Sequence, residues 1–387
     1  MVNLHPDRKG FTIVELLVVI VIIGILASIT IVSYTGVANR AKIASLQSDL
    51  TNNAKKLQMY YAENSSYPIT LTDTSHCPLT PVASSQYCLK ANSTLEYNGG
   101  PTSFVLKATD STISNSYQIT EKGNPSISCP SGFIVVPGST TYNTNDFCVM
   151  KYEAKQVGST GVPESVATGT PWTSINQTWA ISYSPNVVGC TGCHLITEAE
   201  WLTIAQNVLS VPANWSGDAV GNGYIYSGHN DNAPTGTLAA STNDSSGYYN
   251  ETNTGGNQRR TLTLTNGEVI WDLAGNAWEW TSGQTTGGQP GITGESGYAW
   301  KEWNNATEPG SLPVNPFPSY GTTIANSWNA TSQGIGKVYS SSNDSVLRGF
   351  VRGGNWYTPG AQAGVLALEL DIQPVSIYAS IGFRVAR

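Results

Sequence analysis

The chain has 387 residues, of which only 12% are charged, and it contains 39 glycines, 19 tyrosines and 11 tryptophans. Its length exceeds that of one typical domain, so we expect more than one folded unit. The net charge of −7 is uneven, because residues 1–63 carry +2 and the remainder carries −9. An acidic remainder lacks the basic surface that nucleic-acid binding needs, so we expect no nucleic acid among the partners.

The first predicted element is an apolar stretch over residues 11–33, whose only formal charge is Glu15. Such a stretch is long enough to cross a bilayer as a helix. A polar leader over residues 1–10 precedes it, and no small-residue cleavage site follows it, unlike in a secretory signal peptide. A carboxylate inside an apolar helix is costly, so Glu15 is a functional candidate.

The junction between the leader and the apolar stretch has a recognisable pattern. Its residues are Lys9-Gly10, Phe11-Thr-Ile-Val-Glu15-Leu16, and further on Gly24-Ile-Leu-Ala27 and Tyr34. This pattern resembles type IV pilins and the related pseudopilins, although Val32 stands where many pilins have a proline. The resemblance implies cleavage after Gly10 by a prepilin peptidase, methylation of Phe11, and pairing of Glu15 with a neighbouring subunit.

The same resemblance implies partners and a location. The partners would be other pilin subunits and the prepilin peptidase. Residues 11–63 would form the long pilin helix, of which residues 11–33 are transmembrane. The protein would be a single-pass protein of the inner (cytoplasmic) membrane before assembly, and would then reach the cell surface in a pilus.

The helical pattern continues beyond the apolar stretch. Apolar residues recur at spacings of three and four up to Tyr61, so we predict an amphipathic helix as far as residue 63. The sequence from Asn64 to Pro68 ends it, because the residue before a proline avoids the helical conformation. Short strand-like stretches separated by turn residues follow. We predict a small antiparallel-sheet head over residues 64–125, with Gly123-Asn-Pro125 as the linker out of it.

All six cysteines lie beyond the apolar stretch, which suits an oxidising compartment and three disulfides. Pairing each cysteine with its nearest neighbour in sequence gives Cys77–Cys88, Cys129–Cys148 and Cys190–Cys193, although fifteen pairings are open. Cys190-Thr-Gly-Cys193-His194 also fits the pattern for covalent c-type haem attachment. A local disulfide is the simpler interpretation, and haem remains the alternative.

Four stretches of the remaining chain occur in a characteristic order. They are residues 132–154, Leu195-Ile-Thr-Glu-Ala-Glu-Trp201, Trp271-Asp-Leu-Ala-Gly-Asn-Ala-Trp-Glu-Trp280, and Leu347-Arg-Gly through Arg352-Gly-Gly-Asn-Trp356 to Ile381-Gly-Phe-Arg384. Together they resemble the formylglycine-generating-enzyme-like branch of the C-type lectin fold. The resemblance implies such a domain over residues 126–387, so the expected fold class of the whole chain is α+β.

Local patterns within these stretches give further expectations. Thr197-Glu-Ala-Glu200 is a capping box, which predicts the start of a helix with Trp201 on its inner face. Structural roles are expected for Trp271, Trp278, Trp280 and Trp356. Arg352-Gly-Gly-Asn355 predicts a tight backbone passage with positive φ before a buried tryptophan.

The enzymes of this branch use two cysteines late in the domain to bind copper and to attack a substrate cysteine. The chain has no cysteine after Cys193, so it lacks the thiolates for that chemistry. We therefore expect a protein that is not an enzyme and requires no cofactor. Asn276 and Glu279 lie where the resemblance implies a calcium site, and both offer hard oxygen ligands. The alternative is a hydrogen-bonded loop without an ion.

The C-terminal segment 353–384 interleaves framework-like residues with chemically unrelated ones. The unrelated residues are Tyr357, Thr358, Gln362, Glu369, Asp371, Ile372, Val375, Ile377, Tyr378, Ala379 and Ser380, and we name this set the variable patch. The pattern resembles the C-terminal variable region of lectin-fold proteins that retroelements diversify. Exposed aromatic and aliphatic side chains such as Tyr357, Ile372 and Tyr378 favour a binding surface, and an ordinary last strand and loop is the alternative.

These expectations lead to two hypotheses about function. The first is a non-enzymatic, pilin-anchored cell-surface protein whose variable patch binds a protein or glycan ligand in adhesion. The second is a structural minor pilin or type II secretion pseudopilin with an accessory domain.

Overall fold

The structure is a computed structural model that describes residues 38, 41–72, 76–78, 86–113, 116–121, 123–244, 246–252, 258–291, 296–303, 328–358 and 362–387. Gly10, Phe11, Glu15 and the predicted span 11–33 lie outside these residues. Among the helices that are described, none combines the length and apolar character needed to cross a membrane. The chain divides into two compact units, Met1–Ser128 and Cys129–Arg387.

The first unit combines a helix with a four-stranded antiparallel sheet. Helix α1 covers residues 41–64. The strands are β1 (Thr94–Gly99), β2 (Phe104–Thr109), β3 (Tyr117–Thr120) and β4 (Ser126–Ile127), and they lie in this order in the sheet. Leu50 and Leu57 of the helix and Leu106 of the sheet are buried. A helix followed by a small antiparallel-sheet head is therefore present in the described part of this unit.

The end of helix α1 is stabilised by local hydrogen bonds. Ser65 adopts a φ of 57°, and its N–H donates to the Tyr61 carbonyl at 2.7 Å. A left-handed residue of this kind commonly ends a helix, because it lets the last carbonyls find donors. Earlier in the helix, the Asn53 side-chain amide accepts from the Lys90 N–H at 3.1 Å and donates to the Lys90 carbonyl at 2.8 Å. This pair of bonds attaches the loop after the Cys77–Cys88 disulfide to the helix.

The boundary between the units differs from the predicted one. Ser126 and Ile127 form strand β4, which pairs with β3 and so completes the sheet of the first unit. The predicted linker, Gly123-Asn-Pro125, therefore leads into the last strand of the head and does not leave it. A strand of only two residues is too short to show an alternating pattern in the sequence. The predicted boundary therefore fell at residue 126, before this strand.

The second unit is built around two larger sheets. The six-stranded sheet has the order β13 (Ala299–Lys301), β14 (Val338–Ser340), β16 (Leu368–Glu369), β15 (Leu347–Arg352), β12 (Trp278–Thr286) and β17 (Ile381–Phe383). The four-stranded sheet has the order β5 (Phe133–Val136), β6 (Phe147–Met150), β18 (Val385–Ala386) and β9 (His194–Leu195). Strand β18 lies between β6 and β9, so the C-terminal segment of the chain joins strands from the start of the unit.

Smaller elements complete the described part of this unit. Two-stranded sheets form from β7 (Lys155–Gln156) with β8 (Pro163–Glu164) and from β10 (Thr261–Thr263) with β11 (Val269–Trp271). The helices are α2 (Gln177–Tyr183), α3 (Glu198–Leu209) and α4 (Ala330–Gln333), with short 3₁₀ turns at Ser184–Asn186 and Pro212–Asn214.

Helix α3 begins where the sequence predicts and supplies much of the core. The Thr197 hydroxyl accepts from the Glu200 N–H at 3.2 Å, and the Glu200 carboxylate accepts from the Thr197 N–H at 2.9 Å, which completes the capping box. Trp201 is fully buried, and its indole N–H donates to the Val365 carbonyl at 2.8 Å. The capping box and the inward face of the helix are therefore confirmed.

Among the described residues of the second unit, three arginines form buried ion pairs with carboxylates. Glu198 pairs with Arg352 at 2.5 Å, Asp272 pairs with Arg260 at 2.7 Å, and Glu279 pairs with Arg384 at 2.7 Å. Buried charges are tolerated only when they are paired and hydrogen-bonded, and removing one partner leaves the other uncompensated. Each pair therefore constrains which elements pack together.

The structure forms the three disulfides that nearest-neighbour pairing gives, namely Cys77–Cys88, Cys129–Cys148 and Cys190–Cys193. The glycine pair predicted to permit a tight passage has φ values of 94° at Gly353 and 100° at Gly354. A Cβ at Gly354 would lie 2.6 Å from the side chain of Ala363. Both observations explain why glycine is needed at this point.

Candidate functional site

The variable patch lines one cavity of about 240 Å³ in the second unit. Eight of its eleven residues contribute to the wall, together with Trp278, Trp300 and Ile381. The eight are Tyr357, Thr358, Gln362, Glu369, Asp371, Ile372, Tyr378 and Ser380. The remaining three, Val375, Ile377 and Ala379, are exposed on the same segment of the chain. The fold thus gathers residues that are spread over 24 positions of sequence.

Large apolar side chains are exposed beside and within the cavity. Tyr357 is 52% exposed and Tyr378 is 50% exposed, and Val375 and Ile377 are also exposed. Their exposure is unfavourable in isolation, and a cluster of such residues is typical of a surface that contacts a partner. The rings of Tyr357 and Trp356 contact each other in a T-shaped arrangement, with centroids 4.7 Å apart.

The backbone of the patch is held by residues outside the patch. Carbonyls of six patch residues accept hydrogen bonds from side chains or amides elsewhere in the unit. Written as donor to acceptor, the pairs are Lys337 to Gln362, Arg348 to Asp371, Gly349 to Ile372, Asn176 to Val375, Ser174 to Tyr378, and Trp278 to Ser380. Main-chain bonds of this kind do not depend on the side chain of the acceptor. The side chains of the patch can therefore differ without loss of the bonds that fix its backbone.

The framework-like residues between the patch positions are almost all buried. Ala363, Val365, Ala367, Leu368 and Leu370 are each fully buried. Trp356 is the exception. The sequence predicted a buried tryptophan at this position, but its side chain is only half-buried. Its backbone is hydrogen-bonded to Asn276 and Asn232, and its ring packs against the exposed Tyr357.

Three patch residues are buried, which corrects the expectation that such side chains are exposed. Ile372 is only 9% exposed, and Thr358 and Ser380 are buried as well. The Ile372 carbonyl accepts from the Gly349 N–H of strand β15 at 2.9 Å, and the residue forms part of the wall of the cavity. The Thr358 hydroxyl is used locally, where it donates to the Asn355 side chain at 2.7 Å. These residues shape the cavity and do not reach beyond it.

An aromatic wall of the cavity was not predicted from the sequence. Trp278 and Trp300 stack with their planes 15° apart at a centroid distance of 6.4 Å, and Tyr339 contacts Trp300 at 4.9 Å. Trp278, Trp271 and Trp280 are buried, as expected for structural residues, but Trp278 also faces the cavity. Trp300 lies far from the patch in sequence, so only the pairing of β13 with β14 brings it there.

Two carboxylic acids face each other in the same cavity. Burial, and after it the neighbouring Asp371 carboxylate, together raise the pKa of Glu369 to about 8. Burial also raises the pKa of Asp371. One oxygen of Asp371 is buried without a hydrogen-bond partner among the described residues. At neutral pH Glu369 therefore holds a proton and donates it to Asp371, and the remaining carboxyl oxygens can accept hydrogen bonds from a ligand.

Asn276 and Glu279 do not fit a calcium site as they stand. The Asn276 side-chain oxygen accepts from the Leu238 N–H at 2.7 Å, and its nitrogen donates to Glu153 at 2.5 Å. Both oxygens of Glu279 accept from Arg384, at 2.7 and 3.1 Å. A calcium ion needs six to eight oxygen ligands. Here the Asn276 oxygen already accepts a backbone N–H, and both Glu279 oxygens accept from the Arg384 guanidinium. The alternative interpretation, a hydrogen-bonded loop, agrees with these contacts.

The Cys190–Cys193 pair is a disulfide in the structure, so neither sulfur is free to form a thioether to haem. His194 is engaged as well, because its Nε2 lies 3.0 Å from a Glu200 carboxylate oxygen. That contact raises the pKa of His194. The local disulfide is thus the interpretation that the geometry supports.

Comparison with known proteins gives a clear result for the N-terminal segment. Residues 6–31 match the prokaryotic N-terminal methylation motif, which includes Gly10, Phe11 and Glu15. A type II secretion system core protein G of Klebsiella michiganensis is 41% identical over 66 residues, which are 17% of this chain and 46% of that protein. The chain thus matches less than half the length of that relative. It carries a prepilin-type N-terminus with homology to this pseudopilin.

Solved structures that align with the chain have low similarity. The Major Tropism Determinant M1 Variant is 13% identical with a TM-score of 0.33, over 75% of this chain and 64% of that chain. Treponema denticola variable protein 1 is 14% identical with a TM-score of 0.28, over 73% of this chain and 98% of that chain. Alignments at these TM-scores do not establish a shared fold.

Proposed function

We propose that the protein is a pilin-anchored, non-enzymatic binding protein, whose second unit presents the variable patch to a protein or glycan ligand at the cell surface. The observation that carries this proposal is the arrangement of the patch. Eight of its residues surround one cavity, while hydrogen bonds from outside the set fix the backbone beneath them. In such an arrangement the side chains of the patch determine which ligand binds, while the bonds that stabilise the fold do not depend on them.

The chemistry of the cavity supports ligand binding. Exposed tyrosines next to stacked tryptophans offer a large contact area with few rotatable bonds, as in many binding sites. The Glu369 and Asp371 pair supplies polar contacts that orient a ligand. A rigid backbone keeps the entropic cost of binding low, because little of the site has to be ordered on contact.

The N-terminal segment supplies the anchor in this proposal. A prepilin peptidase would cleave after Gly10, and the mature subunit would remain in the inner membrane until it assembles with other subunits. Assembly would then display many copies of the second unit along one fibre. Repeated copies raise the avidity for a surface that carries many ligands, without any new contact.

The absence of catalysis is part of the proposal. All six cysteines, each within the described residues, form disulfides, and this supports a fold without the copper-binding thiolates of the resembling enzymes. An assay for formylglycine formation on a cysteine-containing peptide in the presence of copper tests this point. Turnover above the background without protein would contradict it.

Substitution of the two exposed tyrosines tests the binding role. We expect Tyr357→Ala with Tyr378→Ala in the full-length protein to abolish binding to any target that the wild type recognises on a glycan array or a panel of immobilised cell-surface proteins. The thermal midpoint should change little, because both side chains are about half exposed.

A matched control is available on another surface of the same unit. Tyr224 is also partly exposed, at 37%, and it does not line the cavity. Tyr224→Ala should bind as the wild type does. Unchanged binding by the double variant, or loss of folding in it, would contradict the proposal.

A structural role in a pilus or secretion system is the second candidate, and the homology to type II secretion core protein G favours it. A chain that ends at Ser128, the last residue of the first unit, separates the two roles. If the second unit only caps or primes the fibre, the truncated chain should lower the number of fibres or the amount of secreted protein. If the second unit binds a ligand, fibres should form normally and adhesion should be lost.

Diversification by a retroelement would explain the alternation of framework and patch residues. It predicts a second, near-identical copy of the codons for residues 353–384 in neighbouring DNA, which differs at adenines and lies next to a reverse transcriptase gene. Sequencing of the locus provides the measurement, and a locus without such a copy would contradict diversification while leaving the binding proposal intact.

A further inference from the structure

A group of potential metal ligands lies away from the cavity in the second unit. His229, Asp231 and Glu251 each offer one ligand atom, and these atoms lie within 4.8 Å of one another. His229 Nδ1 lies 3.3 Å from an oxygen of Glu251 and 3.9 Å from an oxygen of Asp231. Two donors that share a tetrahedral zinc ion at about 2.1 Å each are separated by about 3.4 Å. The imidazole and Glu251 are already at that separation.

The key atoms of this group are buried and lack hydrogen-bond partners. The side chains of His229 and Glu251 are fully buried. His229 Nδ1 and both carboxylate oxygens of Glu251 have no hydrogen-bond partner among the described residues. A buried polar atom without a partner costs about 1–3 kcal/mol, and more when it is charged. Three such atoms in one place therefore point to a ligand that satisfies them together.

The orientation of the imidazole shows which kind of ligand fits. His229 Nε2 lies 3.0 Å from the Gly236 carbonyl, which can only accept, so Nε2 carries the hydrogen. In the neutral ring, Nδ1 then directs its lone pair toward the carboxylates. A backbone carbonyl on the second ring nitrogen is the usual support of a histidine that binds a metal. Three acceptor groups converge here, and the Asp231 oxygen among them also accepts from the Ala233 N–H at 3.0 Å. A cation between the three groups would remove their mutual repulsion.

A proton is the simplest cation, but it satisfies only part of the group. Protonated His229 would pair with one oxygen of Glu251 and leave the other oxygen buried without a partner. Arg260 lies close enough for its charge to interact with Glu251, but all five of its N–H groups donate elsewhere, to Asp272 and to three backbone carbonyls. A divalent ion would instead contact all three residues and balance two carboxylate charges.

We propose that His229, Asp231 and Glu251 form a binding site for a divalent transition metal, with Zn²⁺ as the best match. Imidazole nitrogen with carboxylate oxygens suits zinc and related ions better than calcium or magnesium, which prefer oxygen alone. The site is structural. It joins the segment at His229 to the segment at Glu251 across 22 positions of sequence.

The place of the site in the fold indicates what the metal would stabilise. The His229 carbonyl accepts from the Asn276 N–H at 2.7 Å, and the Asn232 N–H donates to the Trp356 carbonyl at 2.7 Å. Trp356 in turn packs against Tyr357. A metal at His229 would therefore hold the loop on which this part of the second unit rests, and its removal should lower the stability of the unit.

Metal titration of the full-length protein tests the proposal. The protein is stripped with EDTA, dialysed and titrated with ZnCl₂, while bound zinc is measured by mass spectrometry and the thermal midpoint by circular dichroism. We expect one tightly bound zinc per chain and a rise in the midpoint on binding, because a ligand of the native state stabilises it. A stripped protein that binds no zinc, or whose midpoint does not respond, would overturn the proposal.

Substitutions assign the ligands. Glu251→Gln and His229→Gln should each weaken zinc binding at least tenfold, since each removes one ligand while keeping a similar shape. His194→Ala is the matched control, because His194 also pairs with a glutamate, Glu200, but lies partly exposed and away from the group. It should bind zinc as the wild type does. Equal zinc affinity in Glu251→Gln and the wild type would overturn the assignment.

A spectroscopic measurement keeps the proposal testable if a variant fails to fold. The wild-type protein loaded with Co²⁺ should show X-ray absorption that fits one imidazole nitrogen with oxygen ligands. A first shell without imidazole would overturn the proposal whatever the variants do.

Discussion

At the scale of single residues, burial decides the chemistry of the candidate binding cavity. Glu369 and Asp371 are two positions apart on one segment, and both side chains face the same space. Removal from water raises the pKa of each carboxyl, because the charged form loses more hydration than the neutral form. The same side chains on an open surface would simply be ionised. Their raised pKa values are thus a property of the fold, although their identity is a property of the sequence.

The raised pKa of Glu369 predicts how stability depends on pH. The folded state keeps the proton up to about pH 8, whereas the unfolded chain releases it near 4.5. Between these values the folded state binds more protons than the unfolded state, so the free energy of unfolding should fall as the pH rises. Glu369→Gln should reduce this slope and be more stable than the wild type near pH 8, as measured by urea denaturation across this range.

Glu268→Gln provides the control for this experiment, because Glu268 is an exposed carboxyl of the same unit. It should retain the slope of the wild type. A slope that is identical in Glu369→Gln and the wild type would show that Glu369 ionises normally in the folded state.

At the scale of elements, local sequence signals and long-range contacts act on the same residues. Glu200 closes the capping box of helix α3 and also contacts His194 of strand β9. The helix then buries Trp201, whose indole reaches Val365 in the C-terminal segment. The start of the helix was predictable from four residues, because both partners of a capping box lie within one turn. The contact with Val365 was not, because it joins positions 164 residues apart.

The capping box gives a second prediction. Thr197→Ala removes the hydroxyl that accepts from the Glu200 N–H, and it should lower the free energy of unfolding by about 1 kcal/mol. Thr197→Ser keeps the hydroxyl and should lie close to the wild type. Chemical denaturation followed by circular dichroism measures both. A serine variant as unstable as the alanine variant would show that the methyl group, and not the cap, is responsible.

At the scale of the whole molecule, buried ion pairs join the C-terminal strands to the rest of the second unit. Arg384 lies between strands β17 and β18, is fully buried, and pairs with Glu279 of strand β12. It also donates to the Met150 and Trp271 carbonyls, so one side chain contacts three distant segments. This role accounts for the Gly-Phe-Arg sequence at the end of the chain, which sequence analysis assigned to the framework without a partner.

Loss of the Glu279 charge should therefore destabilise the second unit strongly. Glu279→Gln leaves Arg384 buried without its counter-charge, and the expected loss is about 3–5 kcal/mol. Thermal unfolding should show the same loss with calcium chloride and with EDTA, because the carboxylate is engaged by the arginine. Glu96→Gln is the control, since it removes only an exposed pair with Lys107 and should change stability little. If calcium reversed the loss of stability in Glu279→Gln, or stabilised only the wild type, Glu279 would have to be a calcium ligand.

The sequence by itself determined the features that depend on short-range order. The prepilin-type motif at Gly10 and Glu15, the helix that precedes Pro68 and the positive φ of Gly353 all follow from residues within a few positions of each other. The interleaving of framework and patch residues was visible for the same reason, because it is read from neighbouring positions of one segment.

Only the tertiary structure decided which side chains meet. In the folded unit Ile372 is buried in the wall of the cavity, Trp300 lines the same cavity as the patch, and Glu279 forms an ion pair with Arg384. It also brought His229 and Glu251 together from two loops. None of these contacts has a periodicity or a spacing that a sequence can reveal. They arise because burial and hydrogen bonding are satisfied by the packed unit as a whole, and not by any one segment.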